Sequence, residues 1–317
     1  MSKNFAIVGA GGYVAPRHMK AIKDTGNKLV AAIDPSDSVG ILDSHFNNVS
    51  FFVEFERFDR HLEKLRRLGS DKRVHYVSIC SPNYLHDAHV RLALRVNADA
   101  ICEKPMVLNP WNIDALSELE QESGRKVYTV LQLRVHPKLI ALREKLMKQP
   151  PDKIHEVELT YLTSRGRWYL VSWKGQVERS GGIATNIGIH FFDLLIWLFG
   201  NVKHSEVHLA EQTKSGGYIE LERARVKWLL SIDRSDLPDV AVKEGKPTYR
   251  SITIDGKEIE FSGGFTDLHT IVYNDILSGG GFGLEDARPS ITLAHSIRNA
   301  KIIGINENSH PFMLKNK

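Results

Sequence analysis

Two short stretches of the sequence hold the residues whose types and spacing could do chemistry. The first is Glu103-Lys104-Pro105, which follows the apolar run 98–102. A lysine at the end of a buried strand is costly to desolvate, so it usually has a charge partner or a task. In an open α/β sheet, ligands bind at the carboxyl ends of the strands. Lys104 is therefore a candidate for ligand binding or catalysis; the alternative is a charged turn that simply leaves the core.

The second stretch, 180–193, begins with glycines and continues as a very apolar helix. Thr185, Asn186 and His190 can share one face of that helix by their spacing. Asp193 lies three residues beyond His190, where it can orient the imidazole. Histidine titrates near neutral pH, which suits a general base. The alternative is a core histidine with satisfied hydrogen bonds, and the sequence leaves both interpretations open.

The N-terminal segment predicts a dinucleotide-binding unit. Residues 5–8 form an apolar strand, 9–12 are Gly-Ala-Gly-Gly, and a helical pattern covers 15–23. Glycines at such a turn let the backbone approach a pyrophosphate, whose charge the helix N-terminus favours. Two registers fit the Gly-x-Gly-x-x-Gly pattern imperfectly. One ends at Val14, and the other, which we prefer, ends at the small Ala15 that close helix–strand packing requires.

An acid, Asp34, ends the next predicted strand, 28–33. Its carboxylate can accept hydrogen bonds from the adenosine ribose hydroxyls and would repel a 2′-phosphate. The position therefore favours NAD over NADP, with an ordinary turn acid in Asp34-Pro35 as the alternative.

Small polar residues, Ser81-Pro82-Asn83, follow another buried strand, 74–80, where they can face the nicotinamide ribose. His86 and His89 lie three apart on the helix that comes next. As a metal pair they lack a third ligand of the usual kind, so we interpret them as helix surface or packing residues.

The order of elements predicts the fold class. Alternating strands and helices from residue 3 to about 133 indicate a doubly wound parallel sheet. Long strands with one polar face then indicate an open, mainly antiparallel sheet, with a hairpin turn at Asp255-Gly256. We therefore expect an α/β protein with domains 1–133 and 134–317, the second serving substrate binding and oligomerisation. In this second half, strands are expected at 154–163, 202–213, 217–232, 249–254 and 258–262, and helices at 135–147, 267–277 and about 288–305, where Pro289 suits a helix start.

Composition narrows the function classes. The 317 residues include 42 basic and 38 acidic side chains, a mild net charge of +4 without a basic cluster, which disfavours nucleic acid binding. Residues 1–4 lead directly into a strand, so we expect no signal peptide. We expect no apolar run of transmembrane length. Cys80 and Cys102 are interpreted as buried thiols of a cytoplasmic protein rather than as a disulfide.

Three motifs occur in the order typical of one family. The glycine turn, Glu103-Lys104-Pro105, and Gly181-Gly182 with Asn186-x-Gly188-x-His190 resemble the glucose-fructose oxidoreductase and inositol dehydrogenase (Gfo/Idh/MocA) family. The resemblance covers nearly the whole chain. Within the family, residues 10–18, 81–87 and 165–169 look like those of bacterial UDP-N-acetylglucosaminuronate 3-dehydrogenases of lipopolysaccharide and O-antigen synthesis.

The resemblance implies an activity as well as a fold. It implies an N-terminal Rossmann domain that binds NAD, a C-terminal α/β domain, and Lys104 and His190 as the catalytic pair. Glu103 and Pro105 would fix the lysine, through a cis proline bond. The reaction would oxidise the sugar C3 hydroxyl to a ketone, which a PLP-dependent aminotransferase would consume. Some members reoxidise NADH with 2-oxoglutarate, and such enzymes are usually homotetramers.

The expected binding residues follow from the motifs and the resemblance. Asn186 replaces the aspartate of many members, in agreement with a UDP-sugar substrate. Basic side chains also lie between the first long strand and the glycine turn, at Arg165, Arg167, Lys174 and Arg179. They are candidates for contacts with a diphosphate or carboxylate, and the alternative is a solvated basic loop. For NAD we expect Gly9, Gly11, Gly12, Tyr13, Val14, Asp34, Ser81, Asn83, His86, Glu103, Lys104 and Gln132. For the sugar nucleotide we expect Lys104, Arg165, Trp168, Lys174, Asn186 and His190. The rival functions are a dehydrogenase of a free polyol or sugar and a non-enzymatic NAD(H) sensor; no metal site is expected.

Overall fold

The computed structural model describes residues 2–259 and 267–314. The first half of the chain alternates strands and helices. Its strands are β1 (Asn4–Val8), β2 (Lys28–Ile33), β3 (Ser50–Phe52), β4 (Tyr76–Ile79), β5 (Asp99–Cys102) and β6 (Val127–Thr129). Its helices are α1 (Ala15–Asp24), α2 (Phe55–Arg67), α3 (His86–Arg95) and α4 (Trp111–Ser123).

The second half begins with a helix and then builds a second sheet. Its strands are β7 (His155–Thr163), β8 (Val202–Ala210), β9 (Lys214–Leu221), β10 (Ala224–Ser231), β11 (Thr248–Ile254) and β12 (Lys257–Glu258). Its helices are α5 (Pro137–Met147), α6 (Arg167–Val171), α7 (Val177–Ser180), α8 (Ile189–Phe199), α9 (Asp239–Lys243), α10 (Leu268–Leu277), α11 (Leu284–Asn299) and α12 (Pro311–Leu314).

The chain divides into two compact units. The first comprises Met1–Val135 and Gly264–Arg288, and the second comprises His136–Gly263 and Pro289–Lys317. The sequence predicts one domain boundary, between residues 133 and 134. In the structure the segment around α10 belongs to the first unit instead of the second. The physical reason is burial: Tyr273 on α10 is fully buried in the core that α1 also lines.

The first unit contains a parallel sheet. Its six strands lie in the order β3-β2-β1-β4-β5-β6, and every pairing is parallel. This is the strand order of the Rossmann fold, so the predicted doubly wound sheet is confirmed. The chain reverses its direction of winding between β1 and β4, and dinucleotides bind at the carboxyl ends of the strands at such a point.

The second unit contains the mixed sheet β12-β11-β7-β10-β9-β8. Only the β7–β10 pairing is parallel among the described strands, so the expected mainly antiparallel sheet is confirmed. The hairpin turn at Asp255-Gly256 is also confirmed. Both residues have positive φ angles, 51° and 74°, as a two-residue turn of type I′ requires.

Two expected elements in this half have different bounds. The sequence predicts one strand at 217–232, but β9 and β10 form a hairpin there. The turn between them at 222–223 has no glycine or proline to mark it. The helix expected at about 288–305 begins at Leu284, because the Asp286 carboxylate accepts the Gly283 N–H at 2.8 Å, the half of a capping box that the N3 side chain supplies. Pro289 therefore lies inside α11, and the end of the strand expected at 258–262 lies outside the described residues.

One stretch corrects the expectation about transmembrane length. Val177–Phe199 is long and apolar enough to cross a membrane by length and composition, but 78% of its most apolar window is buried inside the protein. Burial of this kind is typical of a core helix of a soluble protein. Both cysteines are free and buried, which confirms that they form no disulfide.

Candidate active site

The glycine turn after β1 packs closely against its own backbone and against the end of β4, so side chains have no room at Gly9 and Gly12. Gly9 has a φ of +85°, and a Cβ there would lie 2.7 Å from the carbonyl of Cys80. A Cβ on Gly12 would lie 3.0 Å from the Gly9 oxygen. No side chain caps the N-terminus of α1 at Val14; in the first turn Pro16 has no N–H, and the N–H groups of Ala15 and Arg17 donate to the carbonyl oxygens of Gly12 and Val14.

Asp34 lies beside this turn, where β2 ends. Its Oδ2 accepts the Gly11 N–H at 2.9 Å, and its Oδ1 accepts the Ser36 N–H at 2.9 Å. The two bonds fix the orientation of a half-buried carboxylate next to the backbone that would face a pyrophosphate. A glycine turn, an uncapped helix and an oriented acid together fit the adenosine half of NAD.

We expect Asp34→Asn to weaken the discrimination between NAD and NADP. The amide keeps an acceptor for Gly11 but loses the negative charge that repels a 2′-phosphate. Loss of a charge-assisted hydrogen bond is worth about 1.5–3 kcal/mol, so kcat/KM with NAD should fall about tenfold or more. The measurement is kcat/KM with each cofactor. An unchanged NAD/NADP ratio would remove Asp34 from the ribose site.

The Lys104 turn follows β5 directly and is anchored by Glu103. The Lys104–Pro105 peptide bond is cis. Glu103 is buried; its Oε1 accepts hydrogen bonds from His18 and His269, each at 2.9 Å, and its Oε2 accepts the Lys104 N–H at 3.3 Å. Burial raises the pKa of the carboxyl, but the bonds from both histidines outweigh it and hold the pKa well below its usual range.

A second anchor joins this turn to the end of β4. The ring nitrogens of His86 lie 2.8 Å from the Ser81 carbonyl oxygen and 2.7 Å from the Pro105 carbonyl oxygen, and the residue is 1% exposed. The Ser81 hydroxyl contacts Nδ1 of His89 at 2.8 Å. The two histidines of α3 therefore lie inside the unit and hold the turns at the carboxyl ends of β4 and β5.

The other residues expected to bind the cofactor differ in exposure. Asn83 is buried, Gln132 and Val14 are half-buried, and the Tyr13 ring is 88% exposed. The guanidinium of Arg17 lies 5.7 Å from the centroid of the Tyr13 ring. All of these residues belong to the first unit.

In the second unit, the glycine-rich stretch ends in an irregular helix. Gly181 and Gly182 have φ angles of +79° and +76°, and Ala184–Gly188 forms a π-helical turn before α8. Such turns are frequent at functional sites. Asn186 on this turn donates to the Tyr169 hydroxyl at 2.6 Å, and burial raises the pKa of that hydroxyl. Asn186, and with it the helix that carries His190, is thereby tied to α6.

The segment 165–179, which contains α6 and which we call the basic loop, carries two indole rings beside its lysine. Nζ of Lys174 lies 4.3 Å from the Trp173 ring centroid and 5.6 Å from that of Trp168, which is 52% exposed. Burial, and then the charge of Arg165, lowers the pKa of Lys174. Arg165, like Arg167, is exposed. A partly desolvated ammonium with a second cation nearby suits an anionic ligand.

Sequence reasoning missed three residues that the geometry places next to expected ones. Tyr169 lies within the 165–169 motif, so its position was visible although its bond to Asn186 was not. His18 lies in the 10–18 motif, but its partner Glu103 is 85 positions away. His269 is 166 positions from Glu103, and no local pattern indicates that contact.

Comparison with protein families defines the class of protein. Residues 3–131 match the oxidoreductase family model for the NAD-binding Rossmann fold, and residues 152–227 match the model for its C-terminal alpha/beta domain. The chain belongs to the Gfo/Idh/MocA oxidoreductase family, as the motifs indicate, and its cofactor is NAD.

The solved structures include one protein with high similarity over its full length. The WlbA (WbpB) dehydrogenase from Thermus thermophilus is 53% identical over 98% of this chain and 99% of its own, with a TM-score of 0.94. That protein has been crystallised with NAD and alpha-ketoglutarate, and with NAD and UDP-GlcNAcA. The WlbA dehydrogenase from Bordetella pertussis is 18% identical over 94% of this chain and 95% of its own, with a TM-score of 0.75, and shows the same fold.

Curated relatives match over shorter segments. Inositol 2-dehydrogenase from Rhizobium meliloti is 25% identical over 203 residues, 63% of this chain and 56% of the relative. The chain spans between 27% and 56% of the length of the first three curated relatives.

Proposed function

We propose that the protein oxidises the C3 hydroxyl of UDP-N-acetylglucosaminuronate to the 3-keto sugar with NAD. The observation that carries this proposal is the 53% identity, over 98% of the chain, to a dehydrogenase crystallised with NAD and that nucleotide sugar. The reaction removes a hydride from C3 and a proton from the C3 hydroxyl, leaving a ketone. NAD, when bound, supplies the hydride acceptor.

The residues of the chain then have to remove the proton and hold the hydroxyl. We assign the general base to His190, which sits on the helix that begins at the π-helical turn. Lys104 donates a hydrogen bond to the same hydroxyl oxygen and orients its C3–H bond. Glu103 fixes the backbone of Lys104 through the hydrogen bond at 3.3 Å. The order and spacing of the three motifs support this assignment.

The substrate adds a diphosphate and a carboxylate, which require cations and donors. We assign these contacts to the basic loop. Lys174 and Arg165, which lie near each other, would bind the anionic groups, and the ring of Trp168 beside Lys174 would pack against the substrate. Asn186 contributes an amide beside Tyr169. The second unit thereby serves as the substrate domain.

We expect the double variant Arg165→Ala/Arg167→Ala to raise KM for the nucleotide sugar about tenfold or more, since each charge-assisted hydrogen bond is worth about 1.5–3 kcal/mol. The matched control is Arg66→Ala/Arg67→Ala, which removes the same charge from the surface of α2, where both arginines pair with Glu63. KM for NAD should stay unchanged in both. Equal KM for the sugar in the two double variants would remove Arg165 and Arg167 from the site.

The biological setting follows from the product. A 3-keto sugar is the substrate of a PLP-dependent aminotransferase, and the resulting di-N-acetylated uronic acid enters lipopolysaccharide O-antigen. We propose that the protein is a cytoplasmic homotetramer. We also propose that 2-oxoglutarate reoxidises the NADH that the reaction forms. The open sheet of the second unit suits an interface between copies, and the alpha-ketoglutarate complex of the Thermus thermophilus protein supports the recycling step.

The test is NADH absorbance with purified protein, NAD and UDP-N-acetylglucosaminuronate, with and without 2-oxoglutarate. UDP-N-acetylglucosamine and inositol are the control substrates. Of the three substrates, we expect only UDP-N-acetylglucosaminuronate to be oxidised. When 2-oxoglutarate is present, we expect 2-hydroxyglutarate to form. Reduction of NAD with inositol but not with the uronate would make the chain a dehydrogenase of free polyols. Binding of NAD without turnover of any substrate would favour an NAD(H) sensor.

A further inference from the structure

The carboxylate of Glu103 is held from two different helices. His18 on α1 and His269 on α10 both reach Oε1 at 2.9 Å, and all three residues are buried. We call these three residues the Glu103 clamp. Its histidines belong to segments far apart in the chain, and both lie in the first unit.

The hydrogen bonds of the clamp extend to two further residues. Nδ1 of His18 lies 2.7 Å from the Tyr273 hydroxyl, which lies 2.6 Å from the Ser78 hydroxyl. With Nε2–H of His18 donating to Glu103, its Nδ1 accepts from Tyr273, and Tyr273 accepts from Ser78. Each of these polar atoms therefore has a hydrogen-bond partner while His18 is neutral and Glu103 is a carboxylate.

The clamp acts directly on the catalytic turn. Oε1 of Glu103 is fixed by the two imidazoles, so Oε2 is left at one position, where it accepts the N–H of Lys104 at 3.3 Å. This bond sets the peptide plane at which the Lys104 side chain leaves the backbone. Errors of about 1 Å in the placement of a catalytic group cost about 10²-fold in rate.

We propose that His18 and His269 are positioning residues for the oxidation: through Glu103 they hold Lys104 in the geometry that the C3 hydroxyl requires. This proposal rests on the proposed function for its reaction. It assigns a role to helix α10, which the sequence places far from any motif.

The same three side chains could also hold a divalent ion, since one ligand atom of each lies within 4.8 Å of the others. One observation favours hydrogen bonding: both histidines approach the same carboxylate oxygen at 2.9 Å, the ordinary N–H···O distance.

The test compares His269→Ala with His269→Gln. Alanine removes the donor, while the Nε2–H of glutamine can replace it. We expect His269→Ala to lower kcat about 10- to 100-fold with KM for NAD and for the uronate nearly unchanged, and glutamine to restore most of kcat. Loss of folding alone would lower the active fraction in both variants without this rescue.

The matched control is His208→Ala in the second unit. His208 is also buried and also bonded to a glutamate, with Glu206 at 3.0 Å and Ser309 at 2.9 Å, but it lies on β8 and contacts no predicted site residue through these bonds. We expect this variant to lose stability and to keep kcat. Equal losses of kcat in His208→Ala and His269→Ala would overturn the proposal.

A second readout does not depend on turnover. The rate at which acetic anhydride labels Lys104, measured by mass spectrometry relative to exposed Lys145, reports the surroundings of the Lys104 amine. We expect it to change in His269→Ala and to return in His269→Gln, even if the uronate is not the substrate. An unchanged labelling rate, or one equivalent of bound metal whose removal changes it, would overturn the clamp; failure of the wild type with the uronate would overturn only the proposed function.

Discussion

Replacing Lys104 by methionine should lower kcat by roughly 10²–10³-fold, the usual effect of removing a hydrogen-bond donor from the reacting oxygen. Methionine keeps the length and apolar stem of the side chain and removes the ammonium donor. Because the backbone anchors of the turn come from Glu103 and Pro105, the fold should persist. The measurement is steady-state kcat with the uronate, together with NAD affinity by fluorescence titration.

Replacing His190 by alanine should have an effect of the same size, for a different reason. It removes the proposed base, so the acid limb of the pH profile of kcat should disappear as well. Added imidazole should restore part of the rate. The control is Lys145→Met on α5, an exposed position that should keep full activity. Near-normal kcat in His190→Ala with normal folding would make the base assignment wrong.

Acid should destabilise the fold well above the pH at which carboxylates titrate. Nδ1 of His310 accepts the Phe312 N–H at 3.2 Å, so its Nε2–H donates to Thr160 at 2.9 Å and the ring is neutral. Burial, and then the charge of Lys227, lowers the pKa of His310 from 6.5 to about 4. His89 has a pKa of about 4 for a similar cause, burial and then His86.

The sign follows from which state binds the proton. Above the unfolded pKa of 6.5 both states are neutral, and these histidines add no pH dependence. As the pH falls from 6.5 towards 4, the unfolded chain binds protons that the folded chain excludes, so the free energy of unfolding decreases. A pKa that is lowered from 6.5 to about 4 decreases the free energy of unfolding by about 3 kcal/mol for each histidine once the pH has fallen below 4.

The measurement is the urea midpoint of unfolding as a function of pH. We expect the free energy of unfolding of His310→Gln to depend less steeply on pH than that of the wild type, by up to about 1.4 kcal/mol per pH unit. The reason is that the variant takes up one proton fewer when it unfolds. A wild-type stability that is flat between pH 6.5 and 4 would contradict the buried neutral state of these rings.

Elements with local signals could be predicted from the sequence. The strand, glycine turn and first helix follow from the three glycines and one alanine at 9–12 between an apolar run and a helical pattern. The hairpin at Asp255-Gly256 follows from a dipeptide that adopts positive φ angles. The position of Lys104 at the end of β5 follows from the apolar run before it. In each case the physical cause lies within a few residues of the structural result.

Features that depend on distant contacts could not be predicted. The segment around α10 belongs to the first unit because Tyr273 and its neighbours complete a core begun at the N-terminus. The bond from His269 to Glu103 depends on that placement. The hairpin of β9 and β10 was missed for the opposite reason: its turn is local, but its residues carry no turn preference strong enough to divide an apolar, alternating segment.

The most direct test of the central claim follows the hydride itself. UDP-N-acetylglucosaminuronate with deuterium at C3 is incubated with the protein and NAD, and the deuterium is located by mass spectrometry and proton NMR. We expect deuterium at C4 of the nicotinamide, and on C2 of 2-hydroxyglutarate when 2-oxoglutarate is present. Formation of unlabelled NADH, with deuterium retained on the sugar, would show that the hydride leaves another carbon and would contradict oxidation at C3.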